Sequence, residues 1–550
     1  MLTITCFGAV NEIGGNKILL EDSGSAMMLD FGKSFSAESS FFDEFLQPRT
    51  NSCLRDLLRL GLLPPIPGIY RHDLIRHADV WSTVSVRGLP ASARRLFDAD
   101  IASYDEYNHD NGPRLHGILL SHGHTDHCQH LSYIDRRIPV YCSAPTHAIL
   151  RAAEDIGKGG FEADICQCPT RGIKQCGNTS TFPGEIGIEK DSEDCARDIR
   201  VVSESAVFQV AGFEIEAIPV DHSVPGALAY FIKTPSGKTV FYTGDIRFHG
   251  RFSIGPQSLT EALRVRTRGL RPDILITEGT RITSTKGDNE GDVERGIAEV
   301  VAGCTGLSIV DFGWKDTTRF QTILNVAKAT GRIIAVSPKV AYLWSILHSM
   351  EPDAWPELSQ SENVQVYLKR TQSLTYSLAD YSNSKHLAGT CVDWGSTKEM
   401  REAFLSGDAD YLGDRLCHYY GGVRAYDLAA NPSKYILHAG YFDMNELLDV
   451  EPPAGSVFVR AATEPFSDEM VLDEKKLDHW LDFFNINDGA GILREHVSGH
   501  ASGPDLLQFI TDMQPGAVVP VHTQQPEVFE RELSDRYEVV IPVLQTALSL

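Results

Sequence analysis

Several things are missing from this sequence, and each absence narrows what the chain can be. No apolar run approaches the roughly 18 residues that a membrane-crossing helix requires, so no membrane partner is expected. The first residues, MLTITCFGAVNEIGG, carry neither the basic stretch nor the apolar core of a secretory signal and read as strand and turn, so a cytoplasmic protein is the expectation. Basic charge is also scarce. Lys plus Arg number 50 against 74 Asp plus Glu, a formal net charge of −24. That argues against a general nucleic-acid coat, which presents a basic face to displace counterions from phosphates. It leaves room for a nuclease, because bound cations and a local groove can make the phosphate contacts instead. No GxxxxGK[ST] phosphate loop occurs, and no GxSxG nucleophile elbow, so neither ATP-driven work nor a covalent serine mechanism has support. The eleven cysteines are odd in number and scattered, which suits reduced thiols. Cys166, Cys168 and Cys176 lie close together but lack a fourth ligand and a paired knuckle, so free thiols are favoured over a zinc site.

What is present is an ordinary globular composition, 42% apolar and 23% charged over 550 residues, which excludes a disordered chain. At roughly 100–200 residues per domain, the length calls for two to four domains. Residues 2–8 and 17–20 read as a hairpin and residues 26–31 as a third strand ending at Asp30. Residues 36–113 contain a helix near Ser52–Leu60 and then mixed polar sequence with Pro and Gly. They read as a lid or partner surface, outside the core. Leu115–Ser121 and 138–142 read as short strands, with a helix from about Thr146, and the Gly-, Cys- and Asp-rich stretch 157–200 reads as loop. Strands return over 200–245, turning at Pro235-Ser236-Gly237-Lys238. From 283 the pattern changes to helices at Gly291–Ala302, Thr318–Ala329 and Ala341–His348 alternating with strands at Leu307–Phe312, Arg332–Val336 and 456–460. This is the βαβ grammar of a parallel, doubly wound unit. Strand, helix and strand follow at 492–497, 503–513 and 517–522.

The strongest chemical signal is Ser121-His122-Gly123-His124-Thr125-Asp126-His127, which puts three His and one Asp in six residues directly after an apolar strand. A loop leaving a strand can aim neighbouring side chains at one point, and imidazole with carboxylate suits Zn²⁺, Mn²⁺ or iron. Val220-Asp221-His222-Ser223 and Tyr242-Thr243-Gly244-Asp245 place one more His and one more Asp at strand ends. Each is weak alone, since a lone His is commonly structural and an Asp after Gly is commonly a turn residue. Together they complete ligands for two cations, with Asp245 able to bridge them, and a cation pair suits phosphoryl chemistry.

These strings resemble the metallo-β-lactamase fold family, an αββα sandwich with metals at one edge. Asp30 stands where that family has its first motif, His122–His127 its second, His222 its third and Asp245 its fourth. Soon after Asp245 only His249 is on offer as a further ligand, and the next His, His348, lies in an expected helix. The C-terminal strings Glu495-His496-Val497-Ser498-Gly499-His500-Ala501-Ser502 and Val519-Pro520-Val521-His522 resemble motifs B and C of the β-CASP subfamily, and Thr277-Glu278-Gly279-Thr280 resembles its motif A. Within that subfamily the motif B string, the segment Gly8–Asn16 and His222-Ser223-Val224-Pro225 look most like the ribonuclease J group. The resemblance implies a mixed α/β fold, a metallo-β-lactamase αββα sandwich with an inserted βαβ-type β-CASP domain. Residues 1–282 would form the first part of the sandwich, with the insertion 36–113. Residues 283–465 would form the β-CASP domain, and 466–550 the second part of the sandwich.

By the same resemblance, one cation takes His122, His124, His222 and Asp245 and the other takes Asp126, His127, Asp245 and His522. Two Zn²⁺ are implied, with Mn²⁺ as the alternative. The catalytic set implied is Asp126, His500, Glu278 and Asp30. Here His500 touches the scissile phosphate and protonates the leaving oxygen, while Asp30 and Glu278 orient ligand histidines. Ser498, Gly499, His500 and Ser502 would line a phosphate pocket, with Arg247 and Arg281 as further phosphate contacts. The implied activity is two-metal hydrolysis of RNA, endonucleolytic or from the 5′ end or both, with RNA favoured over DNA as partner. A DNA nuclease of the same fold, a metal-binding scaffold without catalysis and a small-ester hydrolase are the alternatives. The complete ligand set argues against the scaffold, and the late His522 with the inserted domain argues against the ester hydrolase. The sequence departs from the group in its long spacer between Asp30 and His122 and in VHTQQPE after motif C. It also ends shortly after His522, so a homodimer lacks the support of the group's C-terminal domain. Trp314–Arg319 could be read as a nucleotide contact, but Asp316 or Thr317 capping the next helix explains the string.

Overall fold

The structure, a computed structural model, describes all residues except 44, 50–52, 76–89, 157–160, 176–185, 192, 194, 254–257, 286, 359–360, 371–421, 464, 466–467 and 550. In chain order the strands are β1 (Thr3–Cys6), β2 (Ile18–Asp22), β3 (Ser25–Leu29), β4 (Ile118–Leu119) and β5 (Val140–Cys142). They continue with β6 (Thr170–Gln175), β7 (Ile186–Asp191), β8 (Ile199–Val201), β9 (Val207–Val210), β10 (Phe213–Pro219), β11 (Leu228–Lys233), β12 (Thr239–Tyr242) and β13 (Ile274–Thr277). The rest are β14 (Ser308–Asp311), β15 (Ile333–Val336), β16 (Val364–Val366), β17 (Tyr435–His438), β18 (Val457–Arg460), β19 (Leu493–Arg494), β20 (Ala517–Pro520), β21 (Glu538–Val539) and β22 (Ala547–Ser549).

Several of these strands are apolar at successive positions, and alternation sends those side chains to two different cores. Met27 and Leu29 of β3 face one cluster, while Ala26 and Met28 face another. Val240 and Tyr242 of β12 join Met27 and Leu29, and Phe241 points the other way. The result is two seven-stranded sheets face to face. One has the order β22-β1-β2-β3-β4-β5-β8 and the other β21-β20-β13-β12-β11-β10-β9. Their inner faces share one core, and helices cover the outer faces. Leu506, Phe509, Ile510 and Met513 of the helix Gly503–Met513 pack on Phe241, Leu275 and Val518. This is the αββα sandwich the sequence implies. A third, all-parallel sheet, β16-β15-β17-β14-β18-β19, is doubly wound. Val310, Ile334 and Ile436 face the helices Glu290–Gly303, Thr317–Thr330 and Pro338–Met350, while Ile309, Ala335 and Phe458 face the opposite layer.

Three expectations need correction. Residues 36–113 do not form a lid outside the core. Leu54, Leu57, Leu63, Ile69 and Tyr70 are buried and join Met28, Ile118, Leu120 and Val140 in one cluster, so the described part of this segment packs on the outer face of the first sheet. Leu54 and Leu57 lie on the expected helix, whereas Leu63, Ile69 and Tyr70 lie in a run broken by Pro64, Pro65 and Pro67, which hides them from any helical or alternating period. Within 157–200, β6 and β7 pair antiparallel as a hairpin where loop was expected; both strands carry Gly and charge and stand as a separate two-stranded sheet. The parallel unit also extends past 465. β19 pairs with β18, and Leu477 and Leu481 of the helix Asp468–Phe483 lie in its core, so residues 468–494 belong with the third sheet. Cys166 and Cys168 are buried free thiols, and Cys176 lies outside the described residues. Among the described residues no helix is long and apolar enough to cross a membrane.

The third sheet rests on the sandwich through the helices Ala144–Ile156 and Pro338–Met350, where Ala148, Ile149 and Ala152 meet Tyr342, Leu343, Ile346 and Leu347. One loop of the parallel unit reaches further, and Lys315 donates from Nζ to the Gly123 carbonyl at 2.9 Å, inside the His-rich loop.

Candidate active site

The ends of β3, β4, β12, β13 and β20 lie at one edge of the sandwich, and each is followed within three residues by a polar residue of the candidate set. Parallel pairing aligns these ends, so Asp30, Ser121-His122, Asp245, Glu278 and His522 arrive together from positions hundreds of residues apart. Two of them leave their strands in left-handed backbone conformations, Asp30 at φ 55° and His522 at φ 51°. Such conformations in non-glycine residues cluster where the surrounding structure imposes a functional geometry.

Asp245 Oδ2 is the centre of the group. His127 Nε2 lies 3.2 Å from it, His122 Nε2 3.6 Å, His222 Nε2 3.7 Å and His522 Nε2 3.8 Å. On one side, His124 Nδ1 lies 3.0 Å from His122 Nε2 and 3.1 Å from His222 Nε2. A single ring proton cannot satisfy both contacts, whereas a cation placed among three nitrogen lone pairs does. Burial pushes His122 and His222 well below the usual histidine range and His124 down to about 4, which keeps all three in the neutral form that ligates. On the other side stand Asp126, His127 and His522, with His522 Nε2 3.2 Å from Asp126 Oδ2. There burial opposes charge on His127, but Asp245, Asp126 and Asp30 together raise its pKa well above normal, so carboxylate potential is concentrated on this ring. Among the described residues, the buried atoms His127 Nε2 and Asp245 Oδ1 have no hydrogen-bond partner. Orphaned donors of this kind, beside a His₃Asp set and an Asp₂His₂ set that share one carboxylate, fit a pair of divalent cations.

The outer nitrogens of His127, His222 and His522 are held. His127 Nδ1 lies 2.7 Å from Asp30 Oδ2, and Asp30 also accepts from the Ser121 amide and hydroxyl and from the Tyr242 hydroxyl. His222 Nδ1 donates to the Gly499 carbonyl at 2.6 Å, and His522 Nδ1 meets the Thr280 hydroxyl at 2.8 Å. Such outer partners fix ring tautomer and orientation. Asp30 thus holds the ring of a candidate ligand histidine. Glu278 does not. Its Oε2 lies 2.9 Å from His500 Nδ1, and its two oxygens also accept from the Ile246 and Thr280 amides, so it orients His500. Burial lowers His500, but Glu278 and Asp245 outweigh it and raise the ring to about 9.

The expected phosphate pocket divides. His500 lies beside the cluster, with Nδ1 3.9 Å from Asp245 Oδ2. Gly499 is there for close approach, since a Cβ would sit 2.9 Å from Ser223 Oγ and 3.0 Å from His222 Cε1. Ser498 Oγ accepts the His500 amide at 3.2 Å, and the Ser498 carbonyl accepts from His249 Nε2 at 3.0 Å. His249 therefore braces the loop and is absent from the donor cluster. Ser502 is a buried helix N-cap, accepting the Asp505 amide and donating to its carboxylate at 2.7 Å, so its hydroxyl is occupied by its own helix. Arg247 is wholly buried against Asp221 and Thr318, a strut between the sandwich and the parallel unit with no face toward a phosphate. Arg281 has no ion-pair partner among the described residues and contributes positive charge at His249.

Sequence reasoning passed over several contributors. Lys315, on the string discounted as a helix cap, reaches Gly123 even though Asp316 does cap the helix through the Arg319 amide. Thr280 and Tyr242 stood inside quoted motifs without a role. Gly32 was not considered, although a Cβ there would fall 1.6 Å from the Asp126 carbonyl. The Asn16 amide also donates to that carbonyl, at 3.0 Å, so the segment Gly8–Asn16 buttresses the His-rich loop.

Comparison with known proteins adds independent information. Residues 101–291 match the beta-lactamase superfamily domain, and residues 494–542 match the Zn-dependent metallo-hydrolase RNA specificity domain. The chain is similar to ribonuclease J of Sinorhizobium meliloti, 26% identical over 223 residues, covering 40% of this chain and 33% of that protein. It is similar to ribonuclease J of Mycobacterium tuberculosis, 24% identical over 337 residues, covering 61% of this chain and 44% of that protein. Integrator complex subunit 11 of Gallus gallus is 28% identical over 175 residues, 31% of this chain and 25% of that protein. The chain thus spans less than half the length of these curated relatives. Among solved structures, a protein of unknown function from Enterococcus faecalis V583 shares the fold over 100% of both chains, with a TM-score of 0.64 and 19% identity.

Proposed function

We propose that this chain, a metallo-β-lactamase-fold protein of the β-CASP type that resembles ribonuclease J, is a metal-dependent ribonuclease. Its reaction is hydrolysis of RNA phosphodiester bonds, endonucleolytic, from the 5′ end, or both. The observation that carries the reading is the convergence on Asp245 Oδ2 of histidines from the His-rich loop, from the end of β10 and from the C-terminal segment matched as an RNA specificity domain.

His122, His124, His222 and Asp245 would hold one cation and Asp126, His127, Asp245 and His522 the other, with Zn²⁺ favoured and Mn²⁺ as the alternative. Bound there, two cations would acidify water at neutral pH and offset the charge that develops on the phosphoryl oxygens. The protein's own work is orientation and proton transfer. Asp30, the Gly499 carbonyl and Thr280 hold the rings of His127, His222 and His522. Glu278 occupies Nδ1 of His500 and leaves Nε2 to face the substrate. From Nε2, His500 protonates the oxygen that leaves as the P–O bond to it breaks, while water oxygen bonds to phosphorus. Arg281, whose charge reaches His249, would meet a backbone phosphate.

The test is incubation of the full chain with 5′-phosphate RNA, 5′-hydroxyl RNA and DNA of matched sequence, each with and without a chelator. Chelator-sensitive cleavage of RNA with little action on DNA is expected. Chelator-resistant cleavage, or preference for DNA, would overturn the assignment.

A further inference from the structure

A cavity lies in the parallel unit, lined by none of the clustered histidines. It measures about 530 Å³ and opens where β14, β15, β17 and β18 end, bounded by Asp311, Ser337, His438 and Arg460, the residues at or just past those ends. Parallel α/β sheets bind ligands outside the carboxyl ends of their strands, because loops and helix starts there enclose a crevice. Nothing in the hydrolytic reading uses this one.

Its walls are aromatic. Phe312 and His438 stack at 3.9 Å between ring centres and form the buried back. Half-buried Trp314 and Tyr441 flank the opening, and Phe442, 85% exposed, stands at the mouth in ring contact with Tyr441. The charges at the rim are consumed locally, Arg460 by Glu474 and Lys369 by Asp443. Asp311 is different. Among the described residues no donor hydrogen-bonds its carboxylate. Gly440 keeps the space open, since a Cβ there would come within 2.6 Å of Asp311 Oδ1. Burial, with Asp443 adding to it against Arg460, pushes the Asp311 carboxyl up to about 6, so it is still mostly ionised at neutral pH. A carboxylate accepts hydrogen bonds and donates none. Flat aromatic walls with one open acceptor suit a nucleobase whose edge carries donors. Guanine offers N1–H and the N2 amino group side by side, one for each oxygen. Adenine and cytosine offer one amino group beside an acceptor, and uracil would set two carbonyls beside the carboxylate.

We infer that this crevice is a nucleotide-binding site that takes a guanine base against Trp314 and Tyr441, with Asp311 as its hydrogen-bond acceptor. The cavity and its chemistry stand by themselves; that the base belongs to a substrate strand rests on the ribonuclease reading. A physical link to the reaction exists in the loop 313–316, where Trp314 lines the crevice and the next residue, Lys315, holds the Gly123 carbonyl between His122 and His124.

The experiment is calorimetric titration of the full metal-loaded chain with guanosine, adenosine, cytidine and uridine, nucleosides that carry no phosphate to draw them to the cations. Guanosine should bind most tightly and uridine most weakly. Asp311→Asn, which puts a donor in place of one acceptor oxygen, should weaken guanosine at least about 10-fold, since a bidentate base contact is worth that much or more, and should not weaken uridine, whose carbonyls then meet a donor. Phe442→Ala, at a position too exposed to threaten folding, should weaken all four by a few-fold through lost stacking. Equal affinity for the four nucleosides, or guanosine affinity unmoved by Asp311→Asn, would overturn the inference.

RNA oligomers with one guanosine moved along the strand separate the two sources of the base. A position-dependent KM that Asp311→Asn abolishes assigns the crevice to the substrate strand; guanosine binding without that dependence assigns it to a free nucleotide. RNA cleavage with no nucleoside binding sinks this site and spares the ribonuclease reading, while nucleoside binding without RNA cleavage does the reverse.

Discussion

His122, His124 and His222 approach Asp245 as three neutral nitrogens, with His124 Nδ1 3.0 and 3.1 Å from the other two, while Asp126, His127 and His522 approach it as a group in which Asp245, Asp126 and Asp30 together bear on the His127 ring. The first half is organised by burial, which has already removed protons from the donor set. The second is organised by Coulomb attraction, which places a proton on His127 and must give it up when a cation arrives. On the proposed reading, one edge of a sandwich would carry two cation positions with different sensitivities. The nitrogen-rich half depends on packing, and the carboxylate-rich half on charge balance.

Four changes break or sharpen this contrast. The largest effect is expected from Asp245→Ala, which removes the oxygen common to both halves; elemental analysis should find both cations lost and RNA cleavage should fall to background. Asp126→Ala should be next, losing one equivalent from the carboxylate-rich half while the nitrogen-rich half keeps its own. Loss of both would mean that the halves are not separable. His500→Ala should keep both cations and lower the rate by roughly 10²–10⁴, the range of a lost general acid. The deficit should be smaller for a nitrophenyl phosphodiester, whose leaving group needs no proton. A variant that lost metal would return His500 to the ligand set. Thr280→Val should cost about 10- to 100-fold in metal affinity at the carboxylate-rich half, the usual effect of removing an outer partner of a ligand histidine. Against all of these, Ser502→Ala should cost only about 1 kcal/mol of stability, measured by denaturant unfolding, with unchanged kinetics, because its hydroxyl caps a helix and faces Asp505.

The candidate site was legible in the sequence because its members sit at strand ends in short, dense strings. His122–His127, Asp245 and His522 need only the parallel register of neighbouring strands to meet, and that register follows from apolar runs the sequence displays plainly. The doubly wound unit was legible for the same reason, its helices beginning within a few residues of their expected positions. What was hidden involves contacts between distant segments with no local pattern. The core role of Leu63 and Tyr70 is masked by the prolines near them, and the β6–β7 hairpin by its glycines and charges. The boundary near 465 was misread because β19 is two residues long and gains its identity only from pairing with β18. The roles of Glu278 and Ser502 turned on which of two neighbours a side chain faces, a choice made by tertiary packing and invisible to spacing.

The most direct test of a two-cation centre is single-turnover RNA cleavage by chelator-stripped protein, measured as Zn²⁺ or Mn²⁺ is added in known equivalents. The account predicts no cleavage without metal, little with the first equivalent and full cleavage on completing the second. Full cleavage at one equivalent, or cleavage by the stripped protein, would contradict it.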